Sequence, residues 1–370
     1  MANWQGTKGD TFYDEWVERE GLDLIRGSMV ENVYTLPLKP WARSGGNAVR
    51  IQLEGTGEVD DAYIGEILPG KQLEPMRHFY EEVIFVLSGQ GSTTVWYDGQ
   101  QKNGFEWQKG SLFAIPMNAW HQHFNLSGTD PVRFMAITMA PIMMNLLRSD
   151  DAIFENPTRF PERYDSSDNY FTTQFTMKET AFRETGVDKF ECAFTNFVWD
   201  INAIPPQKSA RANGARGRVF ELGPNRALHA HSTLIPGRTY SNAHRHGPGA
   251  HVLWLTGEGY ALMWPEGGEK QKLYFQPGSI IVPPDGWWHH WAILSEEPAQ
   301  DFAVTLGGIV RSRDAGVMIS TKEGGSMMTL DEFSPELIEE IQQTYDEESR
   351  SFVARKQAGV PVNHAEIKTS

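Results

Sequence analysis

Three histidines define the chemistry this sequence can perform. His244 and His246 flank Arg245 at the edge of a Gly-Pro-Gly turn. Alternate residues of a strand share one face, so the two imidazoles point the same way and Arg245 points the other. Forty-three residues after His246, Pro284-Asp-Gly286-Trp-Trp-His289 carries a third imidazole onto a neighbouring strand. Three neutral imidazoles converging inside a barrel suit a divalent first-row ion, Fe(II), Mn(II), Ni(II) or Zn(II), and leave positions for substrate and oxygen. A lone histidine reads as a core or surface residue. A His-x-His with a third partner does not, because the arrangement belongs to a duplicated framework.

That framework is an internal repeat at an offset of 168 residues. It aligns Arg77-His78 with Arg245-His246, Gly89-Gln-Gly91 with Gly257-Glu-Gly259, and Trp96 with Trp264. Trp120-His121 likewise meets Trp288-His289, and upstream Ala42-Arg43 and Arg50 meet Ala210-Arg211 and Arg218. One indel shifts Pro69-Gly70 onto Pro236-Gly237. Register kept over a hundred residues marks a duplication. In the first copy Met76 stands at the first His position, leaving His78, Glu82 and His121 as a possible second metal site with two imidazoles and one carboxylate. A thioether is a poor ligand for a hard ion, so Met76 reads as pocket lining.

Around the second-copy histidines, Trp254 and Trp291 share the ligand face by strand parity. They fill the barrel or form a stacking wall for a planar substrate. An acidic substrate needs a fixed cation, and Arg238 and Arg218 are the candidates. Because Arg218 has Arg50 as its mate, a structural tie is an alternative for it. His229 and His231 alternate on the strand leading to Pro236-Gly237 and serve as acid/base groups if that face is inward.

The elements that must position these residues are short strands. Runs such as Glu82–Leu87, Ser92–Tyr97, Ser111–Ile115 and Arg133–Thr138 are separated by Gly, Pro, Asn and Asp at barrel spacing. The boundaries expected are a first barrel with an N-terminal helix over 1–148, a linker or surface excursion over 149–188, a second barrel over 189–316, and a helical extension over 317–370. Thr11–Glu20 reads as a short amphipathic helix. Pro335–Lys356, with Ser334 as N-cap, carries a stripe of Leu337, Ile338, Ile341, Tyr345 and Phe352 that docks on a barrel or a subunit neighbour. The 370 residues hold 33 basic and 48 acidic side chains, a formal charge of −15. That balance argues against a nucleic-acid or anionic-membrane partner. One cysteine, Cys192, rules out an internal disulfide and a thiolate metal site. No run of apolar residues is long enough to span a bilayer, and the start lacks an apolar h-region, so a cytoplasmic homo-oligomer is expected. The 12 Trp and 11 His stand out.

The run Gly237-x6-His244-x-His246 … Gly257, followed by Gly278-x5-Pro284-x-Gly286-x2-His289, resembles the two motifs of cupins. The first copy resembles them too, as Gly70 … His78-x3-Glu82-x6-Gly89 and Gly110-x5-Pro116 … His121. The resemblance spans both repeats and implies an all-β bicupin of two small jelly-roll (double-stranded β-helix) barrels. It also implies metal ligands at the His-x-His pair, a following Glu and the later His. In the second copy that Glu has become Ala250, and His251 beside it faces the ligands only if the strand slips or bulges. His244, His246 and His289 without a carboxylate resemble gentisate-type ring-cleaving dioxygenases, which place such a site in the N-terminal barrel. The function implied is Fe(II)-dependent oxidative cleavage of a small aromatic acid, with O2 as co-substrate. The alternatives are a metal-dependent lyase, isomerase or decarboxylase on a small organic acid, and a non-catalytic ligand-binding bicupin.

Overall fold

Strands form wherever apolar residues alternate with polar ones between turn residues. In Asn103–Gln108, Asn103, Phe105 and Trp107 point inward while Gly104 and Glu106 face water. The computed structural model describes residues 11–179, 183–184, 191–306 and 317–357. Part of the expected linker and the ends of the expected second barrel and C-terminal extension lie outside these residues.

Each copy folds as two facing antiparallel sheets. In the first, Gly46–Ile51, Asp61–Ile67, Val132–Thr138, Glu82–Ser88 and Leu112–Ile115 are neighbours in one sheet, and Trp120–Asn125, Gln90–Trp96 and Asn103–Gln108 form the other. In the second, Arg216–Leu222, Leu228–Ile235, Ala299–Leu306, His251–Thr256 and Ile280–Ile281 lie in one sheet, facing Gln271–Phe275, Gly259–Trp264, Trp288–Ile293 and Ala243–His244. The copies exchange edge strands. Phe197–Val198, which leads into the second copy, pairs with Leu112–Ile115 of the first, and Met29–Val30 pairs with Ile280–Ile281 of the second. Nothing in the strand propensities signals this exchange.

The barrels share an apolar interface. Along His251–Thr256, Val252 and Trp254 enter the second barrel's own core, whereas Leu253 joins the cluster continuous with the first copy. Phe85 and Phe302 stack across the boundary at 4.2 Å. The buried Glu81 carboxylate accepts bonds from the backbone N–H groups of Arg226, Ala227 and Leu228 at 2.7, 2.8 and 3.1 Å, and from Arg163 at 2.6 Å. Gly55 is required at its turn, because a Cβ there would lie 2.1 Å from the carbonyl oxygen of Val282.

The N-terminal helix runs Phe12–Arg19 behind a Thr11/Asp14 capping box and buries Tyr13, Trp16 and Val17. The C-terminal helix runs Pro335–Gln357 and docks on its own barrel through Ile341 and Phe352, with Leu337 and Tyr345 partly buried. Ile338 departs from the expected stripe and faces solvent. Residues 149–171 lie against the first barrel, where Tyr164 is buried and donates to the Val95 carbonyl and Asn118 donates to the carbonyls of Asn156 and Thr158. Thr176–Glu179 instead pairs with Glu191–Thr195 at the edge of the second copy's sheet. No described helix is long and apolar enough to cross a membrane. Phe302→Ala should lower the unfolding free energy by about 3–5 kcal/mol, the usual cost of emptying a buried aromatic site, as read from urea denaturation midpoints. A loss under about 1 kcal/mol would mean that this stack does not hold the barrels together.

Candidate metal centre

His244 pairs directly with His289 across two antiparallel strands, and His246 follows in the adjoining loop. Ring centroids lie 4.2 Å (His244–His289), 4.8 Å (His246–His289) and 5.8 Å (His244–His246) apart. One ring nitrogen from each falls within 4.8 Å of the others. The other nitrogens are tied to the backbone. His246 Nδ1 is 2.8 Å from the Gly247 carbonyl, His289 Nδ1 is 3.1 Å from that of Trp287, and His244 bonds the backbone of Asn242. A ring that donates Nδ1–H to a carbonyl presents Nε2 as a free lone pair, which is how histidine ligates metal. Burial, reinforced by the neighbouring rings and by Arg211, holds His244 and His289 well below the ordinary histidine range. Burial lowers His246 as well. Three neutral imidazoles with inward lone pairs fit a divalent first-row ion.

The expected cations are not at the trio. Arg238 sits in a left-handed turn, half exposed, and pairs with Glu296 at 3.0 Å. Arg218 shares a strand face with Phe220 and Leu222, which join the inter-barrel cluster, and its Nε donates to the Ile204 carbonyl at 2.6 Å. Strand parity sends Arg218 away from the barrel interior, whereas its mate Arg50 lies opposite Tyr63 on the inner face of the first barrel and makes a fully buried ion pair with Asp61. The cation whose charge acts on the trio is Arg211, which lowers His231, His244, His246 and His289 alike. Its mate Arg43 is neutralised by Glu20 at 2.6 Å, whereas Arg211 makes no ion pair among the described residues. The repeat alignment held this signal in Ala42-Arg43 against Ala210-Arg211.

His251 is corrected as a catalytic candidate. No slip turns it inward, so it faces the first barrel with Nδ1 3.5 Å from Asp60 Oδ2, both side chains fully buried. His229 and His231 occupy the strand face opposite Leu228 and Ala230, which join the inter-barrel cluster. That face is inward, and His231 is held well below its ordinary range by burial, Arg211 and His246. Trp254 is committed to packing, stacked on Phe275 at 3.7 Å rather than forming a substrate wall. Trp291 lies beneath the trio, 5.9 Å from His289 and edge-on to Trp254. The sequence reading did not include Asp301. It is a buried interior carboxyl in Ala299–Leu306, the strand that corresponds to Val132–Thr138, at the place of the first copy's Phe134. Burial pushes it up to about 6, against the pull of Arg211 and the Thr233 amide.

The first barrel brings His78, Glu82 and His121 together. His78 Nε2 is 2.9 Å from Glu82 Oε2, His121 Nε2 is 4.0 Å from it, and Tyr63 donates to Glu82 Oε1 at 2.7 Å. Burial works to raise the Glu82 carboxyl, but His78, His121 and Tyr63 together bring it down to about 2. Burial and His78 hold His121 at about 3. Met76 bridges to His121 through the backbone, in the register that His244 takes with His289. His123 bonds Thr93 at 2.7 Å.

Comparison with known proteins agrees with this architecture. A family model described as a cupin domain matches residues 63–138. Among curated proteins, 5-aminosalicylate 1,2-dioxygenase of Comamonas sp is 36% identical over 64 residues, which is 17% of this chain and 15% of that protein's length. Solved structures of oxalate decarboxylase from Bacillus subtilis superpose with a TM-score of 0.52 at 11% identity. One, described with Mn(II) centres, covers 78% of this chain and 79% of its own. Another, at pH 4.6, covers 77% of each. Residues 63–138 thus match a cupin domain, and the two barrels of the chain share the overall fold of these structures, which together support a bicupin reading.

The buried rings also make stability depend on pH. His121 near 3, His123 and His290 near 4, and the lowered His231, His244 and His289 stay neutral in the fold, whereas an unfolded histidine protonates near 6.5. As pH falls from about 6.5 towards 4 the unfolded chain binds more protons, so stability drops. Asp301, raised to about 6, and Asp60, also raised by burial, oppose this but are outnumbered by the lowered histidines. Metal-free protein should lose urea resistance steeply between pH 7 and about 5. A flat profile would contradict the buried, neutral assignment.

Proposed function

We propose that the protein is a non-haem, Fe(II)-dependent dioxygenase acting on a small aromatic acid at the second barrel. The observation that carries this reading is the pairing of three neutral imidazoles with a cation, Arg211, that makes no ion pair among the described residues and whose charge also acts on the buried Asp301. An exogenous carboxylate can supply what Glu20 supplies to Arg43. The relative from Comamonas carries the name of a dioxygenase of an aminosalicylate, an acid of this class.

His244, His246 and His289 would hold the ion through Nε2, with no protein carboxylate taking a further position because Ala250 stands where the first copy has Glu82. An iron held there supplies Lewis acidity and one-electron chemistry between organic substrate and O2. Arg211 binds and orients the substrate carboxylate, which fixes the ring relative to the trio. His231, kept neutral by burial and by Arg211, offers a ring nitrogen that can accept a hydroxyl proton from a substrate oriented in this way. Trp291 and Trp254 make the barrel beneath the trio apolar and close it to water.

The test is oxygen uptake by iron-loaded protein over hydroxybenzoates and aminohydroxybenzoates. One O2 consumed per substrate is expected. Turnover that persists under strict anaerobiosis would replace this reading with a redox-neutral one, a lyase or decarboxylase. Arg211→Ala should cut kcat/KM for carboxylate substrates by roughly 10–100-fold, the worth of a charge-assisted bond, and should affect uncharged catechols far less. Equal losses on both would remove Arg211 from carboxylate recognition.

A further inference from the structure

The strand that carries His244 is only two residues long, Ala243–His244, and it meets the strand of His289 at one register position. Its other edge is covered by a segment from outside the barrel. Met327–Met328 pairs with it antiparallel, with Met327 opposite His244 and Met328 opposite Ala243. The Arg245 N–H, between the two histidines, donates to the Ser326 carbonyl at 3.0 Å. Met327 is fully buried, and its own N–H donates to Ile319.

This strap is anchored away from the histidines. The Glu332 carboxylate gathers Ser320 Oγ, Thr321 Oγ1 at 3.0 Å, the Lys322 N–H at 2.9 Å, and both the N–H and Oγ1 of Thr329 at 2.7 Å. Phe333 then joins Ile341 and Phe352 of the C-terminal helix against the outer face of the barrel, and Tyr345 donates to the Ile293 carbonyl. The first barrel is backed differently. There Phe79 N–H bonds the Ile153 carbonyl, and Arg77 Nε bonds that of Phe154, from a short helix rather than an added strand.

We propose that Ser326 and Met327 are positioning residues of the second-barrel metal centre, holding His244 in ligating register, so that docking of the strap and binding of a divalent ion are linked. The inference rests on the reading that His244, His246 and His289 hold the ion. A two-residue strand with one edge unpaired would leave His244 free to shift, and the strap removes that freedom. By linkage, whatever the docked strap adds to metal affinity, the bound ion returns to the strap as protection.

The probe is Co(II), followed in the full chain by visible absorption and by hydrogen exchange. Wild-type protein should bind Co(II) at a site lost in His244→Ala, and loading should slow exchange at Arg245 and across 319–328 by at least about tenfold. Glu332→Ala, which releases the anchor without touching the trio, should weaken Co(II) at that site by about 10–100-fold, the range for groups that orient metal ligands. Co(II) that binds through His244 while strap exchange and Glu332→Ala affinity stay unchanged overturns the strap's role and leaves the metal reading standing. Equal Co(II) binding by wild type and His244→Ala overturns the metal reading, and the strap's role with it.

Discussion

Everything at the second barrel depends on keeping three buried imidazoles neutral. Protonating one of them would place a cation beside two other rings and Arg211 with no water to spread the charge. Backbone carbonyls fix the Nδ1 side of the His246 and His289 rings, which turns their Nε2 lone pairs toward the trio. A site that is unfavourable for protons and well shaped for a divalent ion is the outcome, because metal and proton compete for the same lone pair.

Duplication gave two versions of this framework, and they have diverged at a few interior positions. Met76 faces His121 where His244 faces His289, and Glu82 is matched by Ala250. Phe134, packed near His123, gives way to Asp301, and His123 itself to Trp291. Arg43 is neutralised by Glu20, while Arg211 is left to act on the trio. The first barrel keeps an internally satisfied set, with Glu82 already bonded to His78 and Tyr63. The second keeps open lone pairs beside a cation that makes no ion pair among the described residues. The proposed function rests on that asymmetry.

Much of this was legible in the sequence, because the repeat offset and strand parity are local rules. They brought out the two barrels, both histidine sets, and most of the strand limits, such as Leu112–Ile115 inside the expected Ser111–Ile115. They also account for four of the 12 tryptophans. Trp96, Trp120, Trp264 and Trp288 are duplicated outer-face residues, with Lys102 and Lys270 over the first of each pair and Arg77 and Arg245 over the second. Long-range choices were not legible. Arg238 and Arg218 were chosen for closeness in sequence, and a surface partner or the inter-barrel face claimed each one. Strand exchange, the Glu81 anchor and the strap across His244 join residues with no shared periodicity. His251 followed parity once the partner barrel, unseen in local pattern, supplied Asp60.

The central claim is that the second barrel holds one divalent ion through His244, His246 and His289. Metal analysis of the purified protein beside its His244→Ala and His78→Ala variants tests it most directly. The account predicts that His244→Ala loses one equivalent of metal per chain and that His78→Ala retains it. A His244→Ala protein that is folded and carries as much metal as the wild type would contradict it.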